Sequence, residues 1–238
     1  MILGAFGDSF LHGSDLSDCP DEYWPGKGRP HSQLTWPALI AKSLNLQYRC
    51  YADPGIGNAR IAQTVLEAVH NYSNQCVYII NWTWIERFDF YNLQGSDGGQ
   101  GWDTTLPSQS NEYSKQYYKI FHSELNDKIT SLGSIYQALM ALQTHGCKFI
   151  MTYMDDLMLD TKYHCPDNVQ FLQNQIQPFL TNFDNNNFLE WSKLNAYKIS
   201  KKWHPLDDAH VAAAEYWLPT VKHMLNTSAK EDYLHAFI

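Results

Sequence analysis

Short apolar runs rich in β-branched and aromatic residues recur at 2–6, 48–52, 77–81 and 149–153, with a fifth, weaker run at 188–191. Runs of that length and makeup are characteristic of buried strands. Between them lie helix patterns over 34–44, 59–71, 112–145, 168–180 and 210–225. The longest is expected to break at Gly133, because glycine inside a helix costs about 1 kcal/mol relative to alanine. Strand–helix alternation predicts an α/β fold with a parallel sheet covered on both faces, since parallel strands need crossover connections and helices supply them. Two stretches read as loops: 14–32, rich in Pro, Gly and Asp, and 94–111, rich in Gly, Ser and Gln. Both follow predicted strands, which puts them on the side of the sheet where ligands bind. With no internal repeat and no linker, residues 1–238 read as one domain of a size that a single core can fill.

Composition narrows the function. Hydrophobic residues make up 44% and charged residues 18%, enough to build a core, which excludes the disordered class. The net charge of −8 leaves no basic face for phosphate backbones and excludes nucleic acid as the expected partner. No stretch approaches the roughly 18 apolar residues that span a bilayer, so no membrane association is expected. Met1 runs almost directly into the first predicted strand, without a basic and apolar leader, and the expected location is cytoplasmic. The 5 cysteines show no C-x-x-C spacing, and three fall in or beside predicted strands, which fits buried thiols in a reducing interior. No H-x-x-x-H or Cys/His cluster occurs, so neither a metal nor another cofactor is expected.

Candidate chemistry sits at the two ends of the chain. The first strand runs into Gly7-Asp8-Ser9-Phe10-Leu11-His12-Gly13. A serine held in a tight turn just past a strand presents its hydroxyl outward, but it attacks well only if a base takes its proton. The same residues also make a plain strand-ending turn, with Asp8 or Ser9 satisfying local backbone groups. Near the other end, His204-Pro205-Leu206-Asp207-Asp208-Ala209-His210 leads into the last predicted helix. An Asp three residues before a His shares its side of a helical turn. Asp207 can then accept the Nδ1 proton of His210 and leave Nε2 as a general base. The competing reading makes Asp207 or Asp208 the helix N-cap and His210 a solvated first-turn residue. His12 and His204 have no partner at ligand spacing.

Taken together, these segments resemble the SGNH (GDSL-like) hydrolases. GDSFLHG is similar to the first block of that family, and Asp207-Asp208-Ala209-His210 to its last. Trp36-Pro37-Ala38-Leu39-Ile40 is similar to the segment opening its first helix, and Asp53-Pro54-Gly55-Ile56-Gly57-Asn58-Ala59-Arg60 stands where it carries a glycine block. The resemblance spans nearly the whole chain. It implies a three-layer α/β/α, flavodoxin-like sandwich with a five-stranded parallel sheet. It further implies metal-independent hydrolysis of small acyl or glycan esters, acetyl groups among them. By the same resemblance Ser9 is the nucleophile and an oxyanion donor through its backbone N–H, His210 is the base and Asp207 its orienting carboxylate. Gly57 supplies a second oxyanion N–H, with Gly55 the alternative, and a glycine there lets backbone approach a substrate closely.

One block departs from the family. Its third block should supply an Asn side chain to the oxyanion hole, but here the third strand continues as Asn81-Trp82-Thr83-Trp84-Ile85-Glu86-Arg87. Asn81 falls too early in the strand, Thr83 stands nearer the expected place, and Arg87 either pairs with a neighbouring acid or meets an anionic substrate group. Losing one oxyanion donor costs about 10²–10³ in rate, so a weak or inactive relative that binds carbohydrate or assists assembly is the alternative reading. A thioesterase or lysophospholipase is another. Tryptophans 24, 82, 84 and 102 fall near the predicted site loops, where aromatic faces can stack on sugar rings.

Overall fold

A computed structural model describes residues 1–19, 30–93 and 101–227. Four parallel strands form the sheet: β1 (Ile2–Phe6), β2 (Gln47–Cys50), β3 (Cys76–Trp82) and β6 (Lys148–Tyr153), in the order β2-β1-β3-β6. Alternate side chains of each strand point to opposite faces and build two separate cores. Leu3, Ala5, Val77, Ile79 and Ile150 pack with α2 (Trp36–Ser43), α7 (Phe188–Leu194) and α8 (Asp207–Asn226) through Trp36, Ile40, Phe188 and Trp217. Phe6, Tyr78, Ile80 and Met151 pack with α3 (Asn58–Tyr72), α5 (Glu124–Thr144) and α6 (Asp167–Ile176) through Ile61, Val65, Leu132, Ile135 and Val169. The result is a sheet with helices on both faces, as the alternating pattern predicts.

The expected fifth strand at 188–191 is instead α7. Asn187 caps it by accepting the Glu190 N–H on its side-chain oxygen at 3.0 Å, and this local cap overrides an apolar sequence that reads as strand. Next to β6, the place of a fifth strand holds one parallel bridge, Met151 to Leu180. Asp184 and Asn185, both at positive φ, then reverse the chain at once, so the bridge cannot extend into a strand.

Two further differences matter for the site. The long helical pattern breaks around His122 and Ser123 rather than at Gly133, which lies inside α5 with open space around it. The break is pinned by Asp127, which accepts the Tyr117 hydroxyl at 2.9 Å and faces His122 Nδ1 at 2.9 Å. Part of the predicted loop 94–111 forms a hairpin: β4 (Phe88–Asn92) pairs antiparallel with β5 (Gly101–Thr105). Asp89 of that hairpin accepts the N–H groups of Gly57 and Arg60 at 2.8 Å each and so caps α3 from outside. Two further helices are short, α1 (Ser9–His12) and α4 (Glu112–Gln116).

Candidate active site

The chain leaves β1 toward β2 on one side and returns to β3 on the other, so the sheet order reverses between β1 and β3. The carboxyl ends of these two strands flank the crevice that such a reversal opens. Ser9 stands there, one turn past β1, as the first residue of α1. Asp8 caps that helix: its Oδ1 accepts the Phe10 N–H at 3.0 Å. Its Oδ2 accepts the Thr83 hydroxyl at 2.8 Å and the Arg87 guanidinium at 2.9 Å. Asp8 is fully buried, so it is a fixed anchor for the turn that carries the serine. Gly13 closes α1 at a φ of 82°, where a side chain would collide with Ser32 and Thr35.

The imidazole that meets Ser9 is that of His204. Its Nε2 lies 2.9 Å from Ser9 Oγ, and its Nδ1 lies 2.8 Å from Asp15 Oδ2. A carboxylate only accepts hydrogen bonds, so Nδ1 carries the proton and Nε2 keeps its lone pair toward the serine hydroxyl. Burial opposes ionisation of Asp15, yet its hydrogen bonds to Ser200 and His204 and the nearby positive charges outweigh that and hold its carboxyl below the ordinary value. Ser200 clasps the loop: its hydroxyl donates to Asp15 at 2.6 Å and accepts the N–H groups of Lys202 and His204 at 3.1 and 3.2 Å. Asp15 and Trp203, the neighbour of His204 in the chain, both hold positive φ, 71° and 68°, which an Asp tolerates and a Trp adopts only under strain. The ring of Phe10 meets His204 edge-on at 5.3 Å.

The expected pairing of Ser9 with His210 and Asp207 is therefore corrected. His210 lies on the inward face of the first turn of α8, buried, with Nδ1 accepting the Trp36 N–H at 3.1 Å and its ring edge-on to Phe188. Burial drives its pKa down to about 3, so it is a neutral core histidine that holds α2 against α8. Asp207 accepts the Ser17 N–H at 3.1 Å, tying the loop after α1 to the last helix. The D-x-x-H spacing is real, but helix α8 turns both groups away from the serine.

The expected oxyanion donors fare unevenly. The Gly57 N–H is taken by Asp89, and a Cβ on Gly57 would come within 2.6 Å of that carboxylate, so its lack of a side chain admits the hairpin rather than a substrate. Gly55 holds a positive φ of 81°, the conformation that calls for glycine in that turn. The Thr83 hydroxyl is taken by Asp8, and its backbone N–H and C=O are both bonded to the buried Asn58 side chain. Asn81 accepts the Thr152 hydroxyl within the sheet. Ser9 itself opens α1, where helix geometry leaves its N–H without an intrahelical acceptor.

A cleft of about 570 Å³ opens over the serine, with Phe10, Trp84, Arg87, Trp203 and His204 among its walls. Of the tryptophans expected near the site, Trp84 lines this cleft, Trp82 is fully buried, Trp102 packs edge-on against Tyr91 in the hairpin, and Trp24 lies outside the described residues. Sequence spacing missed His204, Asp15 and Trp203. Nothing local links His204 to an Asp 189 positions away. Among the described residues no group of three or more His, Cys, Asp or Glu is placed to hold a metal ion, and no helix is long and apolar enough to cross a membrane.

No family model and no curated protein matches the sequence. Solved structures do. A family two carbohydrate esterase from Clostridium thermocellum, an active-site mutant in complex with an oligosaccharide, superposes over 94% of this chain with a TM-score of 0.53 at 13% identity. Also matched are an acetyl xylan esterase from Butyrivibrio proteoclasticus, over 94% of the chain (TM-score 0.48, 13% identity), and a lipolytic G-D-S-L family protein from Veillonella parvula, over 92% (0.46, 12%). This chain spans 64% of the length of each of the two carbohydrate esterases and 97% of the lipolytic protein. The fold is shared with the Clostridium thermocellum esterase, and among the described residues the parallel sheet has four strands where five were expected.

Proposed function

We propose that this protein is a serine carboxylic-ester hydrolase whose relay is Ser9, His204 and Asp15. The observation that carries the reading is the unbroken chain of contacts, 2.9 Å from serine to imidazole and 2.8 Å from imidazole to carboxylate, at the mouth of an open cleft. In the first step His204 Nε2 takes the hydroxyl proton as Ser9 Oγ bonds to the ester carbonyl carbon. The oxyanion is met by the Ser9 backbone N–H, while Asp15 stabilises the imidazolium and keeps it oriented. The C–O bond to the alcohol then breaks, and His204 returns its proton to the leaving oxygen. Water, deprotonated by the same nitrogen, attacks the acyl group, releases the acid and restores Ser9. A small acyl group, acetyl among them, on a compact or carbohydrate alcohol fits the resemblance and the size of the cleft.

One observation favours a second reading, a binding protein that has kept the fold: Gly57 and Thr83 both have their donors committed elsewhere, so oxyanion support is thin. Hydrolysis of p-nitrophenyl acetate and labelling by a fluorophosphonate decide between them. The hydrolase reading expects the label on Ser9, no turnover by Ser9→Ala, and a loss of about 10²–10⁴ in kcat for His204→Ala. His210→Gln retains the chemistry. Turnover by Ser9→Ala at the parent rate, or ligand binding without any label on Ser9, refutes the hydrolase.

A further inference from the structure

Oxyanion support is thin among the groups the resemblance assigns, because the Gly57 N–H and the Thr83 hydroxyl are committed to Asp89 and Asp8. A guanidinium stands beside them. Arg87 follows β3, and its Nη1 donates to Asp8 Oδ2 at 2.9 Å and to the Ile56 carbonyl at 3.0 Å. Those acceptors belong to the turn after β1 and to the glycine loop after β2. One nitrogen therefore fixes the group where the loops after β1, β2 and β3 converge. The other oxygen of the same Asp8 carboxylate accepts the N–H of Phe10, next in the chain to Ser9, so the guanidinium and the serine are tied to one buried group. Trp84 backs the guanidinium, with Cζ 4.7 Å from the ring centroid. Nε and Nη2 have no acceptor among the described residues, although the side chain is only 12% exposed and lines the cleft with Ser9 and His204. A guanidinium keeps all its N–H donors at every accessible pH, and only those on Nη1 are in use here.

We infer that Arg87 is the second oxyanion donor, its other arm taking the place of the side-chain amide that the third strand lacks. The inference rests on the hydrolase reading. As Ser9 Oγ bonds to the carbonyl carbon and its proton passes to His204 Nε2, the π pair of the carbonyl moves onto oxygen. The Ser9 N–H and an N–H of Arg87 then share that charge. The role calls for an uncommitted donor, not an unmatched charge. Asp8 neutralises the guanidinium in the resting site, so an uncharged ester gains little from it in the ground state. A fixed, largely buried N–H instead favours the charge that develops only in the transition state.

The test uses Arg87→Lys, which keeps a cation for Asp8 but lacks the planar fork that donates in two directions. With p-nitrophenyl acetate, kcat is expected to fall about 10²-fold while KM stays nearly unchanged. Phenylboronic acid, whose adduct on Ser9 is an anionic tetrahedron, is expected to bind more weakly by a similar factor. A kcat within about threefold of the parent overturns the inference, and so does a loss carried by KM, which marks ground-state binding. The isotope-labelled parent chain gives a measurement that does not require the variant to fold. The side-chain N–H signals of Arg87 are expected to move downfield in its nitrogen–proton spectrum when the boronate adduct forms, and signals that stay in place overturn the inference. Turnover and fluorophosphonate labelling of the parent keep the two readings apart. A parent that shows neither defeats the hydrolase reading and this inference with it, whereas an active parent with an unaffected Arg87→Lys defeats the inference alone.

Discussion

Asp15 shows how little of the proposed relay depends on spacing along the chain. It lies six positions after Ser9, in a left-handed turn, and reaches an imidazole 189 positions away while Ser200 binds the same carboxylate oxygen. Because it accepts the Nδ1 proton, replacing it with an amide allows the ring to be held in the wrong tautomer. Asp15→Asn is therefore expected to lower kcat by about 10²–10⁴ with KM and the unfolding temperature nearly unchanged. Esterase kinetics beside thermal denaturation check this, and a kcat within threefold of the parent contradicts the assigned role. At this scale the sequence was half legible. Ser9 stands in a motif with its own local geometry, whereas His210 satisfied the expected pattern and His204 did not, because spacing along a helix says nothing about which side faces the crevice.

Among the elements, the hairpin β4–β5 has the largest consequence that the pattern of apolar positions did not foretell. One side of it supplies Asp89, which accepts the Gly57 and Arg60 N–H groups and the Thr104 hydroxyl, and burial nonetheless pushes its carboxyl up. Just before it, Arg87 reaches the fully buried Asp8 and the Ile56 carbonyl. The hairpin thus ties the start of α3 and the turn that carries Ser9 to the end of β3. Asp89→Ala leaves buried donors unsatisfied and is expected to cost about 1–3 kcal/mol in urea unfolding, whereas a change within error separates the hairpin from the stability of α3. The helices were read well where their apolar periodicity was clear, as at 34–44 and 59–71, observed as Trp36–Ser43 and Asn58–Tyr72. They were misread at 188–191, where a single Asn cap outweighed the strand-like apolar run.

For the whole molecule, His210 couples acidity to folding. Its folded pKa is depressed to about 3 by burial, while an unfolded histidine titrates near 6.5. Above about pH 6.5 both states are neutral at this site and its contribution is fully present. As pH falls from there toward the folded value, the unfolded chain takes up a proton that the folded chain refuses. Stability then declines by up to about 1.4 kcal/mol per pH unit from this group. His210→Gln, which keeps an acceptor for the Trp36 N–H, is expected to flatten the fall in urea-unfolding free energy between pH 7 and pH 5. An identical slope in both proteins removes His210 as the cause.

The alternation of apolar runs determined the parallel sheet with helices on both faces, because burial of side chains at periods of 2 and 3.6 is a property of the chain itself. The turn that carries Ser9 was likewise local, since its cap and its glycine are neighbours of the serine. Which histidine and which carboxylate complete the relay, and which donors are left for the oxyanion, only the tertiary structure decided. Those groups meet across the switch point of the sheet, brought there by the packing of α8, the Ser200 clasp and the hairpin, and contacts made by packing between distant segments leave no periodic trace in the sequence.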